Sequence, residues 1–304
     1  MARVYVTREI VGEALDRLRA VHDVEVWPGP EPPSRAELLA AVAGAEGLLA
    51  MLTERIDVEL LDAAPQLRAV ANYAVGYDNI DLTATRARGI AVGVTPEVLT
   101  EATADLAFAL LLACARRFPE AQAAVIGGRW GSWEPVRWLG ADVHGATLGI
   151  VGFGRIGRAV AKRAAGFEMT ILATRATPLE ELLERSDFVS LHCPLTAETH
   201  HLIDAEALSR MKPTAILVNT ARGGVVDQPA LVAALRTGTI AGAALDVTDP
   251  EPPQPDDPLL SAPNVIVLPH IGSATVATRS KMTEIAVENL LAALDGRPMP
   301  NPVD

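Results

Sequence analysis

The stretch ATLGIVGFGRIGRAVAKRAAGF (146–167) decides the fold. It opens on an apolar run (146–151), turns through Gly152-Phe153-Gly154-Arg155-Ile156-Gly157, and continues as the helical segment RIGRAVAKRAAGF (155–167). In a strand–turn–helix unit, such glycines permit a tight turn, close approach of backbone to a pyrophosphate, and tight helix–strand packing. The helix N-terminus adds free N–H groups and a positive dipole end for the phosphates. GxGxxG alone is a weak signal, since any tight turn between strand and helix can carry it. Its context here supports dinucleotide binding by Gly152, Gly154, Arg155, Ile156 and Gly157.

Downstream, apolar runs recur at MTILA (169–173), DFVSLH (187–192), AILVN (215–219), AGAAL (241–245) and NVIVLP (264–269), with helical segments such as QPALVAALRTG (228–238) between them. Upstream the same rhythm gives RVYV (3–6), VEVW (24–27), GLLAM (47–51), RAVAN (68–72) and IAVGV (90–94), separated by stretches such as IVGEALDRLRAV (10–21) and SRAELLAAVAG (34–44). Strands buried on both faces read as continuous apolar runs, so the expected fold class is α/β with two doubly wound parallel sheets. A long helix, PEVLTEATADLAFALLLACARR (96–117), opens near Pro96 and is apolar beyond one face, which predicts deep burial or a crossing between domains. The tryptophan-rich GGRWGSWEPVRWLG (127–140) and the proline-rich DPEPPQPDDP (249–258) read as irregular. A final helix spans 273–296 and ends at Gly296.

At 304 residues, 49% hydrophobic but only 4% aromatic, the chain has material for two cores built from Ala, Val, Leu and Ile. Its net charge of −12 argues against a nucleic-acid partner, which needs a basic face. Cys114 and Cys193 form no CxxC pair, so a reducing, cytoplasmic compartment is expected. The start MARVYVTREI lacks a signal-peptide pattern, and no apolar run approaches membrane-spanning length.

An acid about 20 residues past the glycine loop would hold the ribose 2′-hydroxyl of NAD. The second strand ends instead in Ala173-Thr174-Arg175, and the next acids are Glu180 and Glu181. Arg175 suits the 2′-phosphate of NADP, so NADP is favoured over NAD, with a merely solvated arginine as the bland alternative.

Ligands of open α/β sheets sit at the carboxyl ends of the strands. The polar residues there are His192, Thr220-Ala221-Arg222, Asp246, Glu251 and His270. Arginine binds a carboxylate bidentately, and a histidine paired with a carboxylate can serve as general acid. By pattern alone His192 and His270 are near-equal candidates, each ending an apolar run. His200 and His201 follow a polar turn and read as surface residues, while His22 and His144 fall in loops or edges. None of the six histidines stands at metal-ligand spacing from an acid or cysteine in sequence, so no metal is expected. Cys193 beside His192 is a weaker candidate nucleophile, because a buried cysteine usually acts as a small hydrophobe.

NYAVGYDNID (72–81), GFGRIGRAVAKR (152–163), ILVNTARGGVVD (216–227), LDVTDPEPP (245–253) and LPHIGSAT (268–275) together resemble the D-isomer-specific 2-hydroxyacid dehydrogenases. WGSWEPVRWLGADVHG (130–145) and GVTPEVLT (93–100) are most similar to the glyoxylate/hydroxypyruvate reductases within that family. The resemblance covers nearly the whole chain. It implies a flavodoxin-like substrate domain from 1–98 completed by 273–304, with a Rossmann cofactor domain, 99–272, inserted between. It also implies hinge closure between them and a homodimer whose interface includes the long helix. It makes Arg222 the carboxylate anchor and His270, paired with Glu251, the acid in reduction and base in oxidation. Backbone around Val75 and Gly76 would hold the 2-keto or 2-hydroxy acid, with Leu52 or Trp138 shaping the pocket. Asp246 and Thr103 would lie by the nicotinamide, and Thr174, Thr220, Ala221 and Gly272 join the cofactor contacts.

The chain departs from the family pattern in one place. Only Ala176-Thr177-Pro178 separate Arg175 from LEELLERSDFVSLH, where relatives usually carry about a dozen more residues and a short strand beside the adenosine. Alternatives are a D-lactate, phosphoglycerate or broad 2-keto acid reductase, and a non-catalytic, corepressor-like protein that senses dinucleotide.

Overall fold

The computed structural model of the chain describes residues 1–303, which divide into two compact units. The first, Met1–Leu99 with the segment from Ala274 onward, begins with β1 (Arg3–Val6), α1 (Ala14–Arg19), β2 (Asp23–Val26), α2 (Arg35–Val42) and β3 (Gly47–Ala50). It continues through α3 (Val58–Ala63), β4 (Ala69–Asn72), α4 (Leu82–Ala87) and β5 (Ala91–Gly93). The second unit, Thr100–Ser273, holds α5 (Thr100–Ala115), α6 (Phe118–Ile126), β6 (Thr147–Val151), α7 (Arg155–Ala164), β7 (Thr170–Ala173) and α8 (Leu179–Arg185). It is completed by β8 (Phe188–Leu191), α9 (Ala205–Arg210), β9 (Ile216–Asn219), α10 (Gln228–Thr237), β10 (Gly242–Leu245) and β11 (Val265–Val267). The last helix, α11 (Val276–Leu294), returns to the first unit.

Every strand pairing is parallel. The first sheet runs β2-β1-β3-β4-β5, the flavodoxin-like order, and the second runs β11-β10-β9-β8-β6-β7. The central strands β3, β4, β8, β9 and β10 are buried at every residue, because helices cover both faces. The edge strand β2 alternates exposed and half-buried positions instead. Fully buried Leu48, Leu148, Ile150 and Leu182 each stabilise the fold by about 1.5–3 kcal/mol.

Local chemistry sets the helix boundaries. Ser34 and Glu37 form a reciprocal capping box at α2, Asp227 caps α10, and Thr275 caps α11. The long helix starts at Thr100 rather than near Pro96, because Glu97 takes a left-handed backbone (φ 69°) that no helix can continue. It stops at Ala115, and Arg117 (φ 54°) then separates it from α6, a helix that the sequence pattern did not distinguish. Half of α5 is buried, where it packs on α7, β9 and β10. In the first unit α11 packs on α1, β3 and β4, and its fully buried Asn289 donates to the Val94 carbonyl and accepts from the Asn301 amide. No described helix is long and apolar enough to cross a membrane.

Candidate active site

In the second unit the glycine loop joins β6 to α7. Gly152 has φ +93°, and a Cβ on it would fall 2.4 Å from the Cys193 backbone nitrogen. Its own N–H donates to Thr174 Oγ1 at 3.1 Å. A Cβ on Gly157 would fall 2.3 Å from the Gly152 carbonyl oxygen and 3.0 Å from Ile150 Cγ2 of β6, so the third glycine lets the helix pack on turn and strand. A Cβ on Gly154 would meet nothing within 4 Å, and no side chain caps α7 there. The space above Gly154 and the first-turn N–H groups of α7 suit the pyrophosphate of a nicotinamide dinucleotide. Arg155 and Ile156 form the first turn of the same helix.

The end of β7 carries no acid. Thr174 and Arg175 are exposed, and the amides of Ala176 and Thr177 both donate to the Ala173 carbonyl, closing the turn at once. Pro178 then opens α8, whose first turn holds Glu180 and Glu181. The strand pairs only with β6 and is the edge of the sheet.

Three more loops meet at the carboxyl ends of β9, β10 and β11. Asn219, 1% exposed, closes the first: its amide nitrogen donates to the Arg222 carbonyl (2.8 Å) and its oxygen accepts from the Ala221 amide (2.9 Å). This pins Thr220-Ala221-Arg222 and holds Arg222 extended and half-buried, its Nη1 donating to the Ala221 carbonyl. Gly223 follows, so close to the next loop that a Cβ would fall 1.9 Å from the Thr248 carbonyl oxygen.

Asp246 follows β10 in full burial and ties down the loop after β11. Its carbonyl accepts the His270 N–H (3.0 Å), while its carboxylate oxygens accept those of Ile271 (2.7 Å) and Gly272 (2.8 Å). Burial raises its pKa, and the two amides oppose the shift. Thr103 of α5 donates to the Gly272 carbonyl, joining that helix to the same loop. His270 sits in the left-handed region (φ 53°), strain of a kind that gathers at functional sites. Its Nδ1 lies 2.6 Å from Glu251 Oε1, with the two side chains 24% and 32% exposed. A carboxylate only accepts, so the pair fixes the proton on Nδ1 and leaves Nε2 for another partner.

His192 differs from His270 in kind. Its Nε2 is 2.8 Å from Ser190 Oγ and its Nδ1 3.5 Å from Thr220 Oγ1, and burial lowers its pKa to about 4. It is a neutral, hydrogen-bonded support. Burial likewise pushes the Cys193 thiol up and that of Cys114 to about 12, which removes Cys193 as a nucleophile.

The expectation that no histidine meets an acid at metal spacing needs correction. His200, His201 and Asp249 bring ligand atoms within 4.8 Å of one another, because the turn after β8 meets the loop after β10. That contact spans 48 positions and is invisible to local spacing.

In the first unit, Leu52, Val75 and Gly76 lie half-buried in loops after β3 and β4. Asn72 donates to the Gly76 carbonyl (2.8 Å), and Asn79 to the carbonyls of Met51 (3.2 Å) and Glu54 (2.9 Å), lacing the two loops together. The buried Glu54 carboxylate accepts from Thr7, Thr53 and the Met51 amide, with Arg8 at 3.2 Å. Sequence reasoning missed Asn219, Gly223, Glu54 and the Asn72–Asn79 pair. Of these, only Asn72 and Asn219 carried a signal, as the polar residues that end β4 and β9. Trp138 is half-buried, with Arg137 over its ring at 4.8 Å.

Residues 108–272 match the family model for the D-isomer specific 2-hydroxyacid dehydrogenase, NAD binding domain. A glyoxylate reductase of Korarchaeum cryptofilum is 52% identical, covering 99% of this chain and 96% of that protein. The chain belongs to the D-isomer specific 2-hydroxyacid dehydrogenases. As a member it is an NAD(P)-dependent dehydrogenase acting on CH–OH donors, and its two parallel-sheet units are those of solved relatives. The Thermus thermophilus protein TT0316 superposes with a TM-score of 0.94 at 54% identity, covering 99% of this chain and all of that one. The NADPH-dependent glyoxylate/hydroxypyruvate reductase of Sinorhizobium meliloti, solved with NADP and malonate, gives 0.87 at 37% identity, covering 99% and 96%. The alignment to the Korarchaeum dehydrogenase spans 317 positions against 304 residues here, so at least 13 of its positions have no counterpart in this chain.

Proposed function

We propose that this dehydrogenase reduces glyoxylate- and hydroxypyruvate-type 2-keto acids to D-2-hydroxy acids, with NADPH preferred. The observation that carries the reading is the 2.6 Å contact of His270 Nδ1 with Glu251, on loops neighbouring the one that bears Arg222. In this reading the second unit holds the cofactor and the first unit handles the substrate. The cofactor, when bound, supplies the hydride. Arg222 anchors the substrate carboxylate, helped by backbone at Val75 and Gly76, and Leu52 shapes the acid's surroundings. His270 delivers a proton from Nε2 to the keto oxygen in reduction and removes it in oxidation, while Glu251 keeps the ring in the required tautomer. Asp246, Thr103 and Gly272 support the nicotinamide side; Thr174, Thr220 and Ala221 line the path between it and the glycine loop.

Preference for NADP rests on Arg175, exposed at the end of a strand with no acid, and on likeness to the NADPH-dependent reductase of Sinorhizobium meliloti. A homodimer is supported by Phe118, Val125, Ile126, Trp130, Trp133, Val136 and Leu139. These are seven large apolar side chains, all more than half exposed within 22 residues, a density that marks a covered face. Two buried free cysteines fit a cytoplasmic setting, and the net charge of −12 fits the absence of a nucleic-acid partner. The test is loss of absorbance at 340 nm with glyoxylate or hydroxypyruvate, run in parallel with NADPH and NADH. Turnover with faster NADPH oxidation is the expected result. Cofactor binding without turnover of any 2-keto acid would overturn the reading in favour of a dinucleotide sensor.

A further inference from the structure

We propose that His200, His201 and Asp249 form a surface site for a zinc-class divalent ion, separate from the hydride-transfer machinery. Their ligand atoms lie within 4.8 Å of one another. In a tetrahedral zinc site with Zn–N bonds of about 2.0–2.1 Å the ligand atoms stand about 3.3 Å apart, so the exposed side chains close by up to about 1.5 Å through rotamer adjustment. The two imidazoles lie side by side, with ring centroids 3.9 Å apart and planes at 25°, and both are exposed, so they can turn to bring one nitrogen each onto a shared ion. His201 reaches this position through a left-handed backbone (φ 52°), and its N–H donates to the Gly224 carbonyl at 2.8 Å. Among the described residues neither imidazole has a hydrogen-bond partner and the Asp249 carboxylate forms no ion pair, so all three ligands are available.

Two imidazoles and one carboxylate suit zinc, nickel or copper rather than magnesium or calcium, and three protein ligands leave a fourth position for water. The site would bridge two loops with work elsewhere. His201 is tied to Gly224, two residues after Arg222, and Asp249 stands two residues before Glu251. A bound ion would therefore cross-link the turn after β8, itself hydrogen-bonded to the Arg222 loop at Gly224, to the Glu251 loop, where it can stiffen them without touching substrate.

The test is calorimetric titration of the untagged protein with Zn²⁺, with thermal melting in Zn²⁺ and in chelator as a second readout. Expected are one ion per chain, a Tm raised by the metal, and at least about tenfold weaker binding in His200→Ala, His201→Asn and Asp249→Asn. Even outer contacts of metal sites reach that scale. Asparagine at 201 tolerates the left-handed backbone, so equal Tm values in chelator would certify that variant's fold. Absence of saturable Zn²⁺ binding in the wild type would overturn the proposal. So would wild-type affinity in His201→Asn or Asp249→Asn. Neither result depends on the reductase assay, so the site and the activity stand or fall separately.

Discussion

Gly223→Ala is the most informative single change. The added Cβ would lie 1.9 Å from the Thr248 carbonyl oxygen, 2.1 Å from its carbon and 2.7 Å from the Asp249 nitrogen. These are backbone atoms, with no flexible side chain to swing aside. Ordinary contact begins near 3.4 Å, so the two loops must separate by about 1.5 Å. One loop carries Arg222 and the other Glu251, the partner of His270. A misplacement of about 1 Å can cost roughly 10²-fold in rate. Overpacking should remove about 1–3 kcal/mol of stability, which lowers Tm by about 2–12 °C in a unit of this size. The assay is kcat/KM for NADPH oxidation with glyoxylate beside a melting curve. Gly166→Ala serves as control, since a Cβ there meets nothing within 4 Å. If Gly223→Ala keeps kcat/KM within about twofold of wild type while folded, close apposition of the loops is not what holds the site together.

His270→Ala should lower the reduction rate by about 10²–10⁴-fold while cofactor still binds by fluorescence titration; near-wild-type turnover would reject the general-acid role. Arg222→Ala should raise KM for the keto acid, and unchanged KM and kcat would remove it from the site. Arg175→Asp should weaken NADPH more than NADH, and an unchanged ratio of the two KM values would assign the preference to another group. His192 has a folded pKa of about 4 against an ordinary 6.5, so the unfolded chain binds the extra proton between those values and stability falls as pH drops through that window. His192→Gln should therefore lose less Tm between pH 7 and 4.5 than wild type, and equal losses would show that the burial of His192 does not govern this range.

The sheets were legible because their central strands are covered on both faces: GLLA, AVAN, FVSL and ILVN are apolar at nearly every position, and burial needs no alternation there. Helix ends were less legible. Nothing in Glu97 or Arg117 announces a left-handed backbone, yet those two residues decide where the long helix starts and stops. The glycine loop could be read from spacing, since its geometry is local. The His270–Glu251 pair could not, because it joins two loops across 19 positions, and pattern alone left His192 its equal. Burial and two hydrogen bonds separate them in the folded chain. The His200–His201–Asp249 cluster and the Gly223–Thr248 contact arise where loops of different strands meet, a level at which the sequence offers no period to follow.

The hold of Asp246 on the loop after β11 has a mechanical consequence. Residues 270–272 belong to no strand or helix, yet three successive amides end on residue 246. Three such ties should make the segment move with the sheet, and its amide protons are then expected to exchange with solvent together with those of β10. The imidazole of His270 is thereby carried by a strand buried at every residue, and the sheet itself sets the position of that ring.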